Sequence, residues 1–257
     1  MFLYFSTKTK FSQNKGDQYK MKKILFAFLA AALTFAVVKP LPMSATEKMS
    51  SNTQVAVKPV TVTKVKIKNK PVIYPQISHV KDQNARKKIN EFLKTKGLNA
   101  AKAYTKFKAV EAKDKAEWDE SLGEWWGYEY DYSYKVKFNE NNQFSIIFYT
   151  YTYLGGAHGM TTAQSYNFDV KTGKMYKLTS TINGKTTAVK EAAFNTLSKQ
   201  YDYELFIEKP SEIVLNDRST LWTFDKKGIK LIFSQYEVLP YAAGMPEVVI
   251  PSSVYIN

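Results

Sequence analysis

The sequence predicts an α+β fold, with antiparallel sheets of several hairpins and amphipathic helices packed on one face. Three observations carry that expectation. "GYEYDYSYKVKF" sets Tyr128, Tyr130, Tyr132, Tyr134, Val136 and Phe138 on one parity and charged or polar residues on the other, the period of a strand that buries one face. "TTAVKEAAFNTLSKQY" places Val189, Ala193, Phe194, Leu197 and Tyr201 at helical intervals. Strand-like segments outnumber helical ones, and the short turns between them imply antiparallel neighbours.

Taken in order, the chain begins with a segment of targeting character. Lys22 and Lys23 precede an uncharged run, Ile24 to Val38, which is followed by Pro40, Pro42, Ser44 and Ala45. That order is the pattern of a secretory signal, and the run is shorter than the roughly 20 residues that span a bilayer. Residues 1–45 are therefore read as a signal peptide whose true start is Met21, with a membrane anchor through residues 24–38 as the alternative. Residues 46–59 are polar and aperiodic, a linker. Two α+β domains are expected beyond it, 60–174 and 175–257.

In the first, "VTVTKVKIKNK" alternates imperfectly as a strand with one wet face, ended or edged by Pro71 and Pro75. "DQNARKKINEFLKTKGL" follows as a helix with Asp82 as its cap and Gly97 as its stop, and the Ala- and Lys-rich "NAAKAYTKFKAVEAKDKAEWDE" forms a second helical piece. The aromatic strand returns through the turn "NENNQ" to "FSIIFYTYTYL", and "QSYNFDV" and "KMYKL" form a further hairpin about Lys171–Lys174. In the second domain a helix over Thr186–Tyr201 precedes the strands "STLWTFD", "GIKLIFSQYEV" and "EVVIPSS", with a turn at Gly228 and the loop "LPYAAGMP".

The chain has no cysteine, which excludes disulfides, thiolate metal sites, a Cys nucleophile and a lipidated cysteine. Its formal charge is +14, and beyond Ala45 the balance is 30 basic against 22 acidic residues, or +8. Such a charge draws a protein to polyanionic surfaces. Nucleic acid is not expected as a partner, because the chain is read as secreted and the basic residues, nearly all Lys, are read as spread along it.

His158, in "YTYLGGAHGMTTAQ", is one of only two histidines. A zinc site needs three or four ligands, His79 stands in "YPQISHVKD" without a paired ligand, and no Asp-rich calcium loop occurs, so neither metal nor cofactor is expected. For nucleophilic chemistry there is no Gly-x-Ser-x-Gly elbow, and no catalytic residue is assigned. An envelope glycan hydrolase using His158 is the enzyme alternative. Gly155, Gly156 and Gly159 imply a sharp turn or a close approach. Binding candidates are Gly155, Gly156, His158 and Gly159 in this loop, Pro240, Tyr241 and Gly244 in a second one, and Trp125 and Trp126, which stand beside Glu124, Glu129 and Asp131 as platforms for a sugar.

"FDKKGIKLIFSQYEVLPYAAGMPEVVIPSS", "GGAHG" with "FDVKTGKMYKL", and "YPQISHVKDQNARKKINEFL" together resemble the extracytoplasmic domains of RsiV-type anti-sigma factors and PdaC-type peptidoglycan deacetylases, over roughly residues 60–257. The resemblance implies an extracellular, non-catalytic module. The sigma-binding and deacetylase parts are not found, and two distant histidines cannot make the His-x-x-x-His pair of such a deacetylase. The expected function is thus a secreted or wall-associated binding module of a Gram-positive-like bacterium, recognising cell-wall glycan or an anionic wall polymer. A lysozyme-binding sensor or inhibitor is the alternative, and a membrane enters only if the signal stays uncleaved.

Overall fold

The computed structural model describes residues 58–201 and 204–256; the signal, anchor and most of the linker expected in residues 1–57 lie outside them. No helix among the described residues is long and apolar enough to cross a membrane. Strands β1 (Thr61–Lys66) and β2 (Ile73–Ser78) make an antiparallel hairpin, and helix α1 (Gln83–Ala116) comes next. Strands β3 (Glu129–Glu140), β4 (Gln143–Tyr153) and β5 (Met160–Asp169) form a central antiparallel sheet in sequence order. Helices α2 (Leu178–Thr181) and α3 (Thr186–Gln200) then lead to a third antiparallel sheet, β6 (Leu221–Asp225), β7 (Gly228–Ile232) and β8 (Glu247–Pro251). The expected α+β class is observed.

Helix α1 starts where its cap was expected. The Asp82 carboxylate accepts the Ala85 N–H at 2.7 Å, satisfying one of the donors that a helix start leaves over. Gly97 does not stop it: the two expected helical pieces are one helix of 34 residues. Gly97 is there because a Cβ at that position would stand 2.5 Å from the Tyr74 ring of β2, so the absent side chain lets helix and strand approach. Ala85, Ile89, Leu93, Gly97 and Ala100 make the buried stripe of α1.

The central sheet is covered on both faces, and β4 shows it: Phe144, Ser145, Ile146, Ile147 and Phe148 are consecutively buried. Phe144, Ile146 and Phe148 join Ile89 and Leu93 of α1 in one core. Ser145 and Ile147 point the other way, towards β6. Strand β6 is an edge of its own sheet, and an edge strand carries unpaired backbone donors and acceptors. Three side chains of the central sheet meet them: Ser165 Oγ accepts Trp222 N–H at 2.9 Å, Ser145 Oγ accepts Phe224 N–H at 3.0 Å, and Asn167 Nδ2 donates to Trp222 O at 2.9 Å. The opposite face of the third sheet, with Trp222, Phe224, Ile229, Leu231, Val248 and Ile250, packs on Val189, Ala193 and Leu197 of α3.

Three sequence expectations are corrected. Alternation in β3 breaks at a register shift between Val136 and Phe138. This bulge inserts one residue and reverses the facing of the rest of the strand, so Phe138 packs near Phe224 and the α3 core instead of joining Tyr132. The hairpin expected at "KMYKL" reduces to one bridge, Phe168 with Met175. The strand "GIKLIFSQYEV" ends at Ile232, because Ser234–Glu237 turns on itself: Glu237 N–H donates to Ser234 O and its carboxylate accepts Ser234 N–H at 2.7 Å.

Candidate functional site

The β4–β5 connection uses its glycines for two different reasons. Gly155 and Gly156 have φ of +89° and +88° with open space around them, a backbone conformation that favours glycine. Gly159 is buried, and a Cβ there would lie 2.4 Å from the Tyr151 ring. The loop carries His158 to the surface between these fixed points, and Tyr153 OH donates to Gly156 O at 3.0 Å.

The fold brings the two candidate loops together. The His158 imidazole stacks on the Tyr241 ring with centroids 3.8 Å apart and planes at 19°. Tyr241 begins the short 3₁₀ turn Tyr241–Ala243, preceded by Pro240 and closed by Gly244 at φ +68°. Tyr241 OH donates to Gly159 O at 2.9 Å, His158 Nδ1 lies 3.0 Å from the same oxygen, and Nε2 lies 3.1 Å from Tyr236 OH. These contacts fit one tautomer, with Nδ1–H donating to the carbonyl and Nε2 accepting from the phenol. Both nitrogens are then engaged within the clamp. Among the described residues neither a Ser nor a Thr hydroxyl pairs with the ring, and no carboxylate orients it, so the arrangement is not that of a nucleophile and its base.

Tyr236, Gln235, Tyr151 and Tyr153 were missed in the sequence. Gln235 Oε1 accepts Thr161 N–H at 2.8 Å and so fastens the turn after β7 to the start of β5. Tyr236 holds φ +64°, a left-handed conformation uncommon for a bulky residue, and its side chain is exposed. The polar run Ser234–Glu237 inside an apolar segment was the available signal.

Trp125 and Trp126 are not part of that clamp. They precede β3, whose first residue, Glu129, pairs with Tyr153 beside the glycine loop, so both features lie at the same end of the central sheet. Trp125 is half-buried against Trp118 and Tyr128, with ring centroids at 5.3 and 5.0 Å. Trp126 is 86% exposed. Beneath them lies a shallow cleft of about 400 Å³ lined by Lys108, Glu111 and Lys115 of α1. Glu111 holds the strand start in place by accepting Tyr128 N–H at 3.0 Å. Its ion pair with Lys108, helped by that N–H, keeps its carboxyl below the usual range. Glu129 and Asp131 are solvent-exposed on the sheet face, as their parity implied.

His79 lies at the other end of the central sheet. It lines a cavity of about 830 Å³ with Asn139, Asn142 and Gln143 of the β3–β4 turn, and its Nδ1 is 2.8 Å from Thr61 Oγ1. The 11 residues of β4 separate the two ends, roughly 35 Å at strand rise. The two imidazoles therefore cannot share a metal, and no three His, Asp or Glu side chains gather in a ligating group among the described residues.

Residues 63–161 match the family model described as "Deacetylase PdaC", and residues 183–253 match "Protein of unknown function (DUF3298)". No curated protein matches the sequence. Among solved structures, the chain is similar to a DUF3298-family protein of Bacteroides fragilis, at 18% identity and TM-score 0.51, covering 77% of this chain and 89% of that one. It is also similar to a DUF3298-family protein of Pseudomonas aeruginosa, at 16% identity and TM-score 0.48, covering 77% and 93%. The first likeness supports the fold. His158 falls in the first matched segment and its partners Tyr236 and Tyr241 in the second, so the clamp joins the two. The chain is thus similar to the two families in tandem, to the first over residues 63–161 and to the second over residues 183–253.

Proposed function

We propose that this chain is a secreted, non-catalytic module that binds cell-wall glycan at the end of the central sheet bearing the His158 clamp and the tryptophans. The two families support an extracytoplasmic setting. The observation that carries the reading is the assembly of aromatic side chains at one end of a rigid sheet: Trp126 presents an open face, His158 stacks on the half-buried Tyr241, and the exposed Tyr236 ring lies tilted beside both. Flat rings are suited to the apolar faces of sugars, because they add contact area at little cost in side-chain entropy. In this reading His158 fixes the loop and Tyr241 supplies binding surface.

Retention of the full chain on insoluble peptidoglycan stripped of anionic polymer tests it. Retention that survives 0.5 M salt and falls at least tenfold in both Trp126→Ala and Tyr241→Ala supports the site. Retention unchanged in both variants overturns it. Turnover of muropeptides that His158→Ala abolishes would instead establish the hydrolase alternative.

One observation favours a second reading, a lysozyme-binding sensor or inhibitor. Residues 117–131, which include the tryptophans, carry six carboxylates and no basic residue. A cationic partner would meet complementary charge there although the whole chain is basic. A lysozyme pull-down that weakens when Glu124, Glu129 and Asp131 are changed to their amides would select this reading over the glycan.

A further inference from the structure

The positive charge of the chain is not spread along it, contrary to the sequence expectation. Residues 58–116 hold 16 Lys and Arg against 4 Asp and Glu, a net +12, whereas residues 117–257 hold 13 against 17, a net −4. Helix α1 alone has ten basic residues and three acidic ones. Lys88, Lys102, Lys106 and Lys113 fall on the side of α1 opposite its buried stripe, and all four are exposed. They extend over about 37 Å at helical rise. Lys88, Lys94, Lys102 and Lys106 make no ion pair among the described residues, and the Lys113 pair with Glu117 is long, at 3.9 Å, and exposed.

We propose that this strip is a second binding surface, which docks a linear polymer with repeating phosphodiester charges, separately from the aromatic end. Like charges four residues apart, as at Lys102 and Lys106, oppose the helix, and an aligned polyanion removes that repulsion. Lysine suits the task, since its ammonium meets phosphate as a point charge without demanding a fixed planar geometry. The form of the strip favours a polymer over a bilayer. The aromatic side chains of α1, Phe92, Tyr104 and Phe107, are half-buried against Tyr166 and Tyr130 of the central sheet, and the exposed large apolar residues of the helix, Leu98 and Val110, stand singly, twelve positions apart, not as the continuous apolar face that enters a membrane. That the polymer is one of the envelope rests on the extracytoplasmic reading above, whereas the charge map does not.

The test is binding of the full chain to fluorescent poly(glycerol phosphate) over a salt series. It compares the wild type with Lys88→Gln/Lys102→Gln/Lys106→Gln/Lys113→Gln and with a control of equal charge loss, Lys171→Gln/Lys174→Gln/Lys185→Gln/Lys209→Gln. The helix variant should lose at least tenfold in affinity at 50 mM salt and about two to three units of the log–log salt slope. The control should stay within threefold of wild type, and thermal melts should show both folded. Equal losses in the two variants would overturn the strip as a site, leaving net charge alone. Binding to phosphatidylglycerol vesicles without binding to the polymer would overturn the choice of occupant, and so would preference for single-stranded DNA over the polymer. Tyr241→Ala should bind the polymer as wild type does, and the helix variant should keep its retention on stripped peptidoglycan, so that failure of one surface is separable from failure of the other.

Discussion

The two faces of the central sheet are both buried, yet they are built from different chemistry. The face under α1 is hydrocarbon and aromatic ring, with Phe144, Ile146, Phe148 and Phe168 against Ile89 and Leu93. The face under β6 places Ser145, Ser165 and Asn167 among its contacts. The difference lies in what each face must receive. A helix satisfies its own backbone and needs only a fitting apolar surface, whereas an edge strand brings bare N–H and C=O groups that cost free energy if left dry. Polar residues inside a sheet core thus identify the side on which another strand's edge is seated.

That contrast can be broken by mutation. The largest effect is expected on the apolar face, where Phe144→Ala should cost about 3–5 kcal/mol in denaturant unfolding, through lost transfer energy and the cavity left behind. Ser145→Ala should cost about 1–3 kcal/mol although it removes a single oxygen, because Phe224 N–H is left buried without an acceptor. A cost near zero would show that β6 does not depend on the face beneath it. Gly97→Ala sharpens the other side: it improves helix propensity but drives a Cβ against Tyr74, and a net loss of about 1–3 kcal/mol is expected.

A smaller effect belongs to Glu247, which receives Lys137 from the β3 bulge and Lys230 from β7, the latter at 3.0 Å. Burial pushes its carboxyl up, but hydrogen bonds from the two ammonium groups prevail and hold it below the ordinary range. A carboxylate depressed on folding adds stability above its unfolded pKa and loses it as pH falls through the folded value. Glu247→Gln should therefore cost about 1 kcal/mol at pH 7, with the gap to wild type closing in acid urea titrations. The smallest change is expected at Thr223, whose hydroxyl is buried with no partner among the described residues. Thr223→Val should be neutral or stabilising by less than about 1 kcal/mol, since it removes an unsatisfied group, and a large loss would reveal that the hydroxyl is hydrogen-bonded in solution.

Where side-chain pattern and local backbone preference act alone, the sequence was sufficient. It located the α3 helix, the three closing strands, the Asp82 cap and the glycine turn before His158, because periodicity, capping and positive φ are local consequences of residue type. It also selected both halves of the clamp as loops, but not their union. His158 and Tyr241 are separated by three strands and two helices, and only the seating of the third sheet on the second stacks their rings.

The same reason covers the misreadings. Gly97 looked like a helix stop because its partner, Tyr74, lies on another strand. Phe138 looked like a member of the Tyr132 face because a bulge leaves no mark in the alternation. The segregation of charge was countable from the first residue, yet its meaning came with the helix, which turns scattered lysines into a line. The sequence by itself determined the class, the elements and the charge; the tertiary structure decided which distant groups meet, since contact across elements depends on register and packing, and no local rule contains either.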